Sequence, residues 1–75
     1  MEIPSLNIRR IKLMRVIEFR VICDYTHNQY QVTTAEHDFS SMNCICTSVS
    51  QLMLKTFTIT RDVRLKGCKA VFSYE

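Results

Sequence analysis

NCICTSVSQLMLKTFTITRDVRLKG, residues 43–67, is the stretch on which the fold turns. Ile45, Val49, Leu52, Thr56, Ile59 and Val63 recur at alternating intervals of four and three, which is one face of an α-helix. Asn43 is a good N-cap, with Ser41 as the alternative. Gly67 supplies a stop, and Arg64 and Lys66 in the last turn suit the helix dipole. The run Thr56-Phe57-Thr58-Ile59-Thr60 pulls the other way. It alternates like a strand, and each β-branched residue costs a helix roughly 0.5 kcal/mol. Two readings stand: a helix that ends near Lys55 with a strand over 56–65, or one long helix to Gly67. The six-residue face favours the long helix.

Outward from this segment the periods change. In residues 15–23, RVIEFRVIC, the side chains of Ile17, Phe19, Val21 and Cys23 share a face and alternate with Glu18, Arg20 and Ile22, which predicts a half-buried strand. Residues 24–29 form a turn, with Asn28 able to take a positive φ. Residues 30–34 read as a second strand, giving an antiparallel hairpin. Residues 35–43, AEHDFSSMN, are polar and aperiodic and predict an exposed loop. Residues 68–74, CKAVFSY, alternate again as a last strand. The order β-β-α-β predicts a two-layer α+β fold, one main helix on a small, mostly antiparallel sheet. Residues 1–13 read as an N-terminal extension and 14–75 as a single domain.

Composition bounds the function classes. A chain of 75 residues is one small domain. Hydrophobic residues at 47% argue against disorder, and the single glycine and single proline against a low-complexity or collagenous chain. No apolar run is long enough to span a membrane, and the opening residues lack a signal-peptide pattern, so the expected compartment is the cytoplasm. Arg9, Arg10, Lys12, Arg15 and Arg20 make one end basic, and Lys55, Arg61, Arg64, Lys66 and Lys69 the other. The middle carries only Asp24, Glu36 and Asp38. A basic face for nucleic acid is one reading of this pattern. Solvated surface is the other, and the lack of aromatics beside Arg9, Arg10 and Lys12 favours it. Cys23, Cys44, Cys46 and Cys68 do not form metal-ligand pairs with His27 or His37 at zinc spacing, so neither a metal nor a cofactor is expected.

Residues 33–52 carry the chemistry-bearing candidates. With Asn43 as cap, Cys44 and Cys46 fall in the first helical turn, where the dipole favours thiolate. Thr47, Ser48 and Ser50 leave the sulfur uncrowded. Packing is the plainer alternative, with Ile45, Cys46 and Val49 on one buried side.

Over these residues the chain resembles the ribosomal-processing cysteine proteases, the Prp family. The match runs through Asn43-Cys44-Ile45-Cys46-Thr47-Ser48-Val49-Ser50-Gln51-Leu52, with Val-Ser-x-Leu direct and Cys46 on the family nucleophile. The resemblance implies a cysteine peptidase that trims the N-terminal extension of a large-subunit ribosomal protein, acting as a homodimer. It places Glu36, Asp38, Ser40 and Ser41 on a substrate-binding loop. The family histidine falls at Thr34, which cannot protonate a leaving amine, so His37 is the candidate acid–base partner of Cys46. The chain also stops short of the family's second helix. Two other functions remain open. One is a non-catalytic binding or inhibitory module, phage or mobile-element encoded, that engages a host protein through its loop and strand edge. The other is a nucleic-acid-binding domain using the basic ends.

Overall fold

The computed structural model describes residues 13–75, so all but the last residue of the expected extension lies outside the described residues. Strand β1 is Arg15–Asp24 and β2 is Gln29–Thr34, paired antiparallel from Asp24↔Gln29 to Phe19↔Thr34. Between them Asn28 takes φ 53°, a left-handed conformation that asparagine tolerates. The Asp24 carboxylate braces the turn by accepting from the His27 backbone N–H at 3.1 Å. On β1, Ile17, Phe19 and Val21 are wholly buried while Val16, Glu18, Arg20 and Ile22 face out.

The polar segment after β2 is not a plain loop. His37–Met42 winds into a 3₁₀ helix that delivers Phe39 into the core, and Lys66 lies over the Phe39 ring at 5.3 Å. Asn43 does not cap a helix. Its backbone is extended, and its side-chain oxygen accepts from the Thr34 N–H at 2.9 Å, tying the two ends of the segment together.

Cys44–Cys46 then forms a third strand, β3, antiparallel to β2 with Tyr30↔Cys46 and Val32↔Cys44. The helix α1 starts later than the sequence suggests, at Val49, and runs to Leu65. The cap is Ser48, whose hydroxyl accepts from the Gln51 N–H at 3.1 Å, while the Gln51 side chain accepts from the Thr47 N–H at 2.8 Å. This reciprocal Ser-x-x-Gln arrangement satisfies two otherwise orphan donors, which Asn43 alone could not do. With the start shifted, Ile45 and Val49 leave the buried face and stand exposed.

The buried stripe of α1 is Leu52, Ile59 and Val63, with Thr56 half-buried between them. The threonines remain helical because their hydroxyls bond back to the preceding turn: Thr56 to Met53 O, Thr58 to Leu54 O, Thr60 to Thr56 O at 2.7–3.0 Å. Gly67 ends the helix at φ 78°, its N–H donating to Arg64 O at 2.9 Å. Strand β4, Cys68–Tyr74, returns parallel to β1.

The sheet order is β3-β2-β1-β4, mixed, with α1 on one face. The result is the two-layer α+β architecture expected. Ile17, Phe19, Val21, Tyr30, Val32, Phe39 and Cys46 meet Leu52, Ile59, Val63 and Cys68 in one core, and the Phe19 and Phe72 rings stack 5.4 Å apart. No helix among the described residues is long and apolar enough to cross a membrane.

Arg20 on β1 holds the Glu75 carboxylate through two contacts, 2.7 and 2.9 Å. That hydrogen bond lowers the Glu75 pKa, against a smaller opposing effect of burial. A carboxylate depressed in the folded state contributes stability above its unfolded pKa and loses it as pH falls through the folded value. In an NMR titration the Glu75 Cδ midpoint should therefore fall below the ordinary glutamate range, and return toward it in Arg20→Gln.

Candidate functional site

The structure divides the sequence candidates into two groups. Thr34, Glu36, His37, Asp38, Ser40 and Ser41 gather around the 3₁₀ helix at one end of β2. Cys46 sits at the other end. It lies opposite Tyr30, four residues from Thr34, about 13 Å at strand rise. His37 follows beyond the Thr34 end, exposed. Cys46 and His37 are thus not brought together. Nor is Cys46 at a helix tip: it is an interior strand residue, 4% exposed.

The loop residues are engaged in holding the loop. Arg15 pairs with Glu36 and, at 3.7 Å, with Asp38. The Thr34 hydroxyl donates to Glu18 O at 2.8 Å and accepts from the Glu36 N–H at 3.2 Å. The Ser40 hydroxyl donates to His37 O at 2.9 Å. An expected substrate-binding loop is, in its charges, a clamp between β1 and the 3₁₀ helix. Ser41 is exposed.

All four cysteines are free thiols. Among the described residues no three His, Cys, Asp or Glu side chains converge in a way that would hold a metal ion. Cys44, half-buried, has its pKa raised, first by burial and then by the neighbouring Cys46 thiol, with Lys55 partly opposing. A thiol pushed up in this way is protonated at neutral pH and is a weak nucleophile.

What the sequence reading missed is the surface beside these thiols. The edge strand β3 and the flank of α1 enclose an open groove of about 310 Å³. Cys44, Ile45 and Cys46 form one wall, and Leu54, Lys55 and Thr58 the other. Ile45 is 58% exposed and Leu54 69%, while Lys55 makes no ion pair among the described residues. The signal was present: Leu54 lies well off the Leu52–Thr56–Ile59–Val63 stripe, an apolar residue where an isolated globular helix carries a polar one. With Met53 and Phe57, also exposed, it gives α1 apolar residues on the side turned away from its own core.

Comparison of the chain with protein-family models, with curated proteins and with solved structures finds no match.

Proposed function

We propose that this chain is a non-catalytic protein-binding module that takes an extended peptide segment of a partner into the β3–α1 groove. The carrying observation is the groove itself. It joins a sheet edge to an apolar wall, Ile45 and Leu54, and to the cation Lys55; among the described residues the edge has no strand beyond it and Lys55 has no ion-pair partner. An added strand gains main-chain hydrogen bonds from the edge and specificity from alternate side chains. Apolar side chains of the segment would lie on Ile45 and Leu54, and a carboxylate on it would face Lys55.

The peptidase reading needs a thiolate open to substrate and an acid beside it. The burial of Cys46, its distance from the His37 end of β2 and the raised pKa of Cys44 all weigh against it. The nucleic-acid reading loses two of its cations, since Arg15 and Arg20 are occupied by Glu36, Asp38 and Glu75. Four free thiols suit a module working in a reducing compartment such as the cytoplasm.

Selection from a displayed library of random linear peptides tests the reading. Peptides that bind should be apolar and extended, with at least one acidic residue. Leu54→Asp, an exposed change with little expected effect on folding, should weaken them at least tenfold, roughly 1.4 kcal/mol or more. Lys55→Glu should weaken the acidic peptides and spare neutral variants of them. Cleavage of the selected peptides by the wild type, lost in Cys46→Ala, would overturn the proposal in favour of the peptidase.

A further inference from the structure

The opposite rim of the sheet is β4, which has β1 on one side and no strand on the other among the described residues. Glu75, just past its end, shows which backbone groups are used. Its N–H donates to Val21 O and its carbonyl accepts from Cys23 N–H, both at 2.9 Å. In a parallel pair, alternate residues turn both N–H and C=O to the same neighbour. Ser73, Val71 and Lys69 therefore bond to β1 in step with Glu75. Cys68, Ala70, Phe72 and Tyr74 present theirs outward. The edge has no proline and one lysine, so little in it blocks pairing with another strand.

We propose that a second copy of this chain pairs with this edge, β4 against β4 antiparallel, about a two-fold axis at Val71. With the axis there, Ala70 of one copy faces Phe72 of the other, and Cys68 faces Tyr74. These are the residues whose backbone groups point outward, so each such pair exchanges both its hydrogen bonds. A small side chain meets a large one at the first pair.

The charges agree with this partner over an arbitrary strand. Lys69, Val71, Ser73 and Glu75 share the outer face of the sheet by alternation. Under the two-fold, Lys69 is directly opposite Ser73 of the second copy and diagonal to Glu75 of that copy, within reach of a long side chain. The same contact recurs on the other side of the axis, and like charges do not oppose each other. Glu75 is already anchored by Arg20.

The helix continues the surface. Thr60 and Arg64 face Cys68, Lys69 and Ala70 across a shallow cleft, so this flank of α1 is the one above β4. Met53 and Phe57 extend the same row at helical spacing and are 67% and 66% exposed. Three residues of strand and about seven of helix cover similar lengths. Phe57 therefore lies near the level of Val71, close to the axis, where it would meet its own copy. A contact of this kind is isologous and closes at the dimer. It leaves the groove at β3, on the far edge, free.

Sedimentation velocity of the full chain under reducing conditions, from about 1 to about 300 µM, tests the proposal. The expected result is a reversible dimer with a midpoint in that range. Ala70→Pro removes an N–H that has no partner among the described residues, and should shift the midpoint at least tenfold toward monomer with the circular dichroism of the fold retained. Phe57→Lys, on an exposed helical position, should do the same, and Lys69→Glu should weaken association severalfold. If Ala70→Pro fails to fold, Phe57→Lys decides. A monomer throughout the range, or a dimer that Phe57→Lys leaves unchanged, would overturn the proposal.

Discussion

Phe19→Ala should leave the chain largely unfolded at 37 °C, and Phe57→Ala at low protein concentration should leave its stability within about 0.5 kcal/mol of the wild type. The two side chains are identical and their settings opposite. Phe19 is wholly buried at the middle of the sheet, stacked on Phe72, in a strand that pairs on both sides. Removing a buried phenyl ring costs about 3–5 kcal/mol, from lost transfer energy and from the cavity left behind. A domain under about 80 residues rarely has more than that to lose. Each kcal/mol lowers the melting temperature of so small a domain by roughly 4–8 °C. Thermal unfolding followed by circular dichroism should therefore show Phe19→Ala without a cooperative transition above ambient temperature. A transition within a few degrees of the wild type would mean that the core is not where the structure puts it.

The sheet was legible where the period of two was clean. Ile17, Phe19 and Val21 alternate with charged neighbours, and Asn28 marks the turn, so β1, β2 and their hairpin followed from sequence. The long helix followed too, against the propensity of Thr56, Thr58 and Thr60, because Leu52, Ile59 and Val63 hold a face that only a helix puts together. Those hydroxyls, bonded to the preceding turn, are how the helix accommodates its poor formers.

The misreading lay in the six residues before the helix. Asn43 and Ser48 are both good caps, and a pattern of fours and threes extends back to Ile45 by coincidence. Only Ser48 has a glutamine three residues on to complete a reciprocal cap. Cys44, Ile45 and Cys46 form a strand too short to show a period, and its existence rests on pairing with Tyr30 and Val32, which no local signal announces. Phe39 was hidden in the same way, one aromatic inside a polar run that tertiary packing draws into the core. The candidate site inherited these errors. The thiol at a helix tip, the feature that carried the peptidase expectation, becomes an interior strand residue, and the surface that remains is the groove next to it.

The reactivity of Cys46 is the second large effect and the most direct check on that reassignment. As a thiol of β3 that is only 4% exposed at the groove wall, it meets a reagent chiefly when this part of the core opens. With a global stability of about 5 kcal/mol, such opening is populated on the order of once in several thousand. Cys44, half-exposed, should be modified before it, though slowly for its raised pKa. Iodoacetamide labelling of the native chain at neutral pH, read residue by residue by mass spectrometry, should give Cys46 a rate at least about tenfold below that of the chain in denaturant. Labelling of Cys46 ahead of the other three thiols, and faster than in the unfolded chain, would contradict the buried strand and return the sulfur to the surface as a nucleophile.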